Sequence, residues 1–66
     1  YLNLTAMIEL QKEKFDLSLD HLRKAELVAR NSLQFKSTTY NNLACYYRRT
    51  GKIRTALTYL IQALEL

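Results

Sequence analysis

Tyr40 to Leu66, YNNLACYYRRTGKIRTALTYLIQALEL, decides the fold. Tyr40, Leu43, Ala44 and Tyr47 recur at i, i+3, i+4 and i+7, one face of a 3.6-residue period. Ile53, Ala56, Leu57, Leu60, Ala63 and Leu64 repeat that spacing after Gly51, the only glycine in the chain. Two amphipathic helices are expected, hinged at Thr50-Gly51-Lys52, with their apolar stripes closing on each other. Gly51 stands where a left-handed residue ends a helix without a Cβ penalty. Ala44 and Ala56 are small where larger residues would also have kept the pattern, which lets the two helix axes approach to roughly 8 Å.

The rest of the chain reads as a worn copy of this stretch. Phe15, Ser18, Leu19, Leu22 and Ala25 match Ile53, Ala56, Leu57, Leu60 and Ala63 at a constant offset of 38 residues. Ahead of them, Leu4, Ile8 and Leu10, with Leu2 behind them, mark the apolar face of an earlier first helix, and Asn3-Leu4-Thr5 echoes Asn42-Leu43-Ala44. Aligned on those residues the first helices are 39 apart, so one extra residue is expected in the earlier turn. No glycine stands near Glu13 and Lys14, which argues for a corner of a non-Schellman kind. Leu27, Val28, Ala29, Leu33 and Phe35 prolong the second helix by about a turn, a break is expected from Asn31 to Lys36, and Ser37, Thr38 and Thr39 offer N-cap hydroxyls for the next helix.

Tyr40-x2-Leu43-Ala44-x2-Tyr47 followed by Ala56-x3-Leu60, with Gly51 at the turn and Ala63 at the later small position, resembles the tetratricopeptide-repeat family. The resemblance implies an all-α fold of two antiparallel helix-turn-helix hairpins stacked as an α-solenoid. Repeat one would span about 1–36 and repeat two about 37–66, in a longer-pitch variant than the family's period of about 34. A hairpin of this kind buries its second face only against a neighbour, and arrays end in a polar cap. The apolar Leu60, Ile61, Leu64 and Leu66 therefore point to a fragment of a longer array.

Composition narrows the function. No proline, one glycine and abundant Leu, Ala, Lys and Glu favour helix throughout. No apolar run approaches the roughly 18 residues of a membrane span, and one cysteine makes no internal disulfide, so a cytoplasmic setting is expected. The net charge of +4 is densest at Arg48, Arg49, Lys52 and Arg54. It forms no long basic run, and the tyrosines lie on core spacing, so nucleic acid is not an expected partner.

No catalytic constellation is present. His21, the single histidine, reads as a solvent-facing helix residue, Cys45 as a small half-buried filler, and the acid pairs Glu9/Glu13 and Asp16/Asp20 as solvated charge. No metal site or cofactor is expected. The resemblance instead implies a concave groove lined by the first helices, with partner-binding candidates Asn3, Asn42, Cys45, Arg48 and Arg49. Asn42 stands where the family's side-chain amide holds a ligand backbone, and the arginines favour an acidic protein or peptide. The lysine of a carboxylate clamp is absent from Asn3 to Met7. The expected function is a non-enzymatic protein-interaction scaffold. The alternative is a structural spacer or oligomerisation segment in a larger cytoskeletal or ciliary assembly, stacking on neighbouring repeats or on itself.

Overall fold

The computed structural model describes residues 2–65. Among them are four α-helices and no strand: α1 (Leu2–Gln11), α2 (Phe15–Val28), α3 (Leu33–Arg49) and α4 (Ile53–Glu65), with a 3-10 turn at Ala29–Asn31. α1 packs on α2 and α3 on α4, giving two hairpins. α3 is the bridge between them, packing on α1, α2 and the 3-10 turn, while α4 packs on α3 and shares with Glu26 of α2 only an open depression. The all-α, paired-hairpin expectation is met.

The two turns are the same object at an offset of 38. In the second, Gly51 N–H donates to the Arg48 carbonyl at 3.2 Å and Lys52 N–H to that of Tyr47 at 2.8 Å. In the first, Glu13 N–H donates to Leu10 at 3.1 Å and Lys14 N–H to Glu9 at 2.8 Å. The bond reaching back five residues is the Schellman closure, and both central residues are left-handed, Gly51 at φ 86° and Glu13 at φ 62°. Two expectations are thereby corrected. The first corner is of the Schellman kind despite lacking glycine, and no extra residue lies in it, so the offset is 38 along the whole hairpin.

Glu13 carries the strain of a side chain at positive φ, which Gly51 escapes. Glu13→Gly is expected to stabilise the chain by roughly 0.5–1 kcal/mol, whereas Gly51→Val, whose Cβ would meet no neighbouring atom, costs more than about 1 kcal/mol through backbone conformation alone. Thermal melts of the two variants shifting in the same direction would refute this account of the turns.

The junction between hairpins also differs from expectation. α2 stops at Val28, the 3-10 turn follows, and extended Ser32 caps α3, its Oγ accepting from Phe35 N–H at 3.3 Å. The second hairpin thus begins at Leu33 instead of about 37, and the added length belongs to α3, not to the second helix of the first hairpin. Thr38 and Thr39 are not caps. Their hydroxyls donate back to the carbonyls of Gln34 (3.2 Å) and Phe35 (2.9 Å), the in-helix alternative open to threonine.

At each hairpin crossing small residues meet. Ala44 and Ala56 are buried as expected, and Ala6 and Ser18 take their places in the first hairpin, with Ser18 Oγ donating to the Ala6 carbonyl at 2.8 Å. Around them the core gathers Leu10, Leu22, Leu43, Tyr46 and Tyr47. The inward face of α1 is Asn3, Ala6 and Leu10; of the residues taken from the sequence as its apolar face Leu10 is buried, whereas Leu4 and Ile8 are 64% and 45% exposed. On α4 only Ala56 is buried, so Ile53 and Leu57 join Leu60, Ile61 and Leu64 at the surface. Leu66, expected on that stripe, lies outside the described residues.

Candidate protein-interaction surface

α3 runs down the middle of the molecule, and its sides have different fates. Thr39, Leu43, Tyr46 and Tyr47 are buried, while Asn42 and Cys45 are half-buried and Arg48 and Arg49 exposed. The stripe left free is polar and ends in charge. Basic residues in the last turn also suit the negative end of the helix dipole.

Asn3 and Asn42, nominated from the sequence on separate repeats, touch. Asn42 Nδ2 donates to Asn3 Oδ1 at 3.1 Å, and Asn3 Nδ2 donates to Thr39 Oγ1 at 3.1 Å. Asn3 is buried, so its amide ties α1 to α3, whereas Asn42 spends one donor inward and keeps a half-exposed side chain. Thr39 was missed as the third member of this chain of hydrogen bonds. The signal was present: 39, 43 and 46 recur at i, i+4 and i+7, a hydroxyl on core spacing.

Cys45 and Arg48 come together at one end of the molecule. With Asn41, Ala44, Ala56 and Leu60 they line an open depression of about 110 Å³, smaller than the ~150 Å³ that holds a benzene ring. It has room for about one side chain. Arg49 is not among its lining residues. Among the described residues neither arginine lies within ion-pair distance of a carboxylate; the ion pairs found are Lys24–Asp20 at 3.2 Å and Glu9–His21.

That last pair corrects the reading of His21 as solvent-facing and of Glu9 as solvated charge. His21 Nδ1 and Glu9 Oε1 are 2.6 Å apart and clamp α1 to α2. At the equivalent positions of the second hairpin, Tyr47 and Tyr59 stack with centroids 5.6 Å apart and planes 2° from parallel, and Tyr59 also meets Tyr40 at 5.7 Å.

Burial raises the Tyr59 phenol above its ordinary value near 10, with Glu26 adding to the effect; burial likewise raises Tyr46, followed by Tyr47 and Asp16. A phenol raised in the folded state stabilises fully below the unfolded pKa, and that contribution fades as pH climbs through the folded value. The melting temperature is therefore expected to fall above about pH 10. Tyr46→Phe and Tyr59→Phe together should flatten the fall; an unchanged slope would exclude these phenols as its source.

Among the described residues no cluster of His, Cys, Asp and Glu could hold a metal, Cys45 is a free thiol, and no helix is long and apolar enough to cross a membrane. A family model described as tetratricopeptide repeat matches residues 1–66. The chain belongs to the tetratricopeptide-repeat family. No curated protein and no solved structure matches it. Tetratricopeptide repeats generally mediate protein–protein interaction, bind proteins or peptides, and are typically non-enzymatic.

Proposed function

We propose that this tetratricopeptide-repeat chain is a non-enzymatic scaffold that presents the free stripe of α3 to an acidic peptide or helix of a protein partner. One observation carries the reading: Asn42, Cys45 and Arg49 remain on one side of α3 after its packing faces are used, and the arginine at the end of the row has no carboxylate partner among the described residues. An amide followed by a guanidinium can take a peptide backbone and then an acidic side chain. Asn3 acts from behind, holding Asn42 in place. Arg48 adds positive potential beside the row. The proposal includes a cytoplasmic setting, where the free thiol of Cys45 persists.

The test is fluorescence anisotropy of a labelled acidic peptide, selected by display against the intact chain, on charge-reversed variants. Arg49→Glu is expected to weaken binding about tenfold or more, and added salt to act in the same direction. Arg23→Glu, at an exposed position of α2, should change affinity by less than about twofold. Equal losses from both variants would show that net charge, not this row of residues, governs binding.

A further inference from the structure

On the side of α3 turned away from the Asn42 row, a second depression opens between the two hairpins. Tyr40 stands about 200° around α3 from Asn42. With Glu26 of α2 and Arg54, Thr55, Tyr59 and Gln62 of α4, it lines an open space of about 530 Å³, against about 110 Å³ for the one at Cys45. Two of the walls are aromatic. The Tyr40 and Tyr59 rings are inclined at 55° with centroids 5.7 Å apart, and stacking on Tyr47 fixes Tyr59 in place. Lys36 Nζ already lies over the Tyr40 ring, 5.8 Å from its centroid, so an aromatic face here attracts a cation.

Glu26 gives the space its sign. It is half-buried and, among the described residues, within ion-pair distance of no cation, although Arg54 lines the same depression. Its charge is felt there: after burial it does most to raise the Tyr59 phenol, more than Arg23 does to lower it. A chain of net charge +4 thus holds an unpaired carboxylate against tyrosine rings. We infer that the depression binds an arginine side chain of a protein partner, its guanidinium stacked against Tyr59 and Tyr40 and paired through two N–H groups with the Glu26 carboxylate. A guanidinium suits this setting better than an ammonium, being flat, weakly hydrated and forked to match a carboxylate. Thr55 and Gln62, both exposed, offer further oxygen acceptors, whereas the Thr58 hydroxyl is spent on the Arg54 carbonyl at 3.1 Å. Arg54 and Lys36 are the internal rivals of the incoming cation. The site takes the opposite charge from the row ending in Arg49 and stands independently of it.

The probe is a glycine-arginine-glycine tripeptide blocked at both ends, so that the guanidinium is its only charge, titrated into the intact chain and followed by nuclear magnetic resonance. Non-specific attraction is not a confounder, because the chain as a whole repels a cation. Saturable shifts of the Tyr40 and Tyr59 ring resonances are expected, with a dissociation constant of about 1–10 mM, as befits one anchored side chain. The lysine tripeptide should bind at least about threefold more weakly, and the citrulline tripeptide, flat but uncharged, at least about tenfold more weakly. Glu26→Gln, its folding checked by circular dichroism, should cost about tenfold in affinity for the arginine tripeptide, whereas Glu13→Gln, the same loss of charge at an exposed corner, should change it by less than about twofold. Arg54→Ala should strengthen binding about threefold, a gain that misfolding does not produce. Equal binding of the arginine and citrulline tripeptides, equal losses from the two glutamate variants, weakening by Arg54→Ala, or no saturable shift at either ring would overturn the inference. Tighter binding of a trimethyl-lysine tripeptide than of the arginine one would overturn it in favour of a quaternary-ammonium site.

Discussion

Leu43→Ala is expected to abolish cooperative folding at room temperature. Leu43 is fully buried on α3, the helix through which the two hairpins meet. Truncating a leucine in such a place costs about 2–5 kcal/mol, because the lost burial is compounded by a cavity that neighbouring helices fill only in part. A chain of this size seldom holds more than about 3–5 kcal/mol of stability from its core. The substitution therefore removes most of what there is. Far-ultraviolet circular dichroism with a urea titration would test it: the variant should show a shallow, non-sigmoidal loss of helix. A sharp transition close to that of the unaltered chain would mean that the contact between hairpins contributes little.

Tyr59→Ala should have a different effect, releasing α4 while α1 to α3 stay folded. α4 packs on α3 and buries only Ala56, so Tyr59, against Tyr40 and Tyr47, is its main aromatic attachment. Each aromatic pair contributes about 0.5–1.5 kcal/mol beyond the area it covers, and losing two at once leaves a helix of this length unable to hold itself in water. Hydrogen exchange read by mass spectrometry should show Ile53–Glu65 exchanging at the rate of free peptide while α2 stays protected. Uniform deprotection of all four helices would instead mean that the hairpins unfold as one unit.

The second hairpin was legible in the sequence because its cues agree: the 40, 43, 44, 47 spacing, Ala56 and a glycine at the turn each point to the same corner. The first hairpin misled because its inward residues look unsuitable. Asn3 and Ser18 are polar, yet both are buried and hydrogen-bonded, while Leu4 and Ile8 are apolar and exposed. Periodicity identifies faces but not which of two faces is covered, and choosing Leu4 and Ile8 forced the spurious offset of 39. Glu13 was hidden for a related reason, since a glutamate gives no sign that its backbone will turn left-handed. The start of α3 was misplaced because hydroxyl residues that cap helices also sit inside them when they bond to the preceding turn, as Thr38 and Thr39 do. Of the surface residues, Asn42 and Cys45 could be placed by spacing, but the contact between Asn3 and Asn42 needed the stacking of hairpins, which no local pattern encodes.

The two hairpins share a backbone but are clamped by unlike chemistry, Glu9 with His21 in one and Tyr47 on Tyr59 in the other. Contact between aromatic rings draws on the entropy of released water and weakens on cooling, whereas an acid–imidazole contact does not depend on that term. Concentrated salt acts in the opposite sense, screening charge while strengthening apolar burial if the anion is sulfate or phosphate. Chilling therefore loosens the second hairpin first, and sulfate tightens it while screening the α1–α2 clamp, so temperature and ionic composition shift the balance of firmness between the two hairpins.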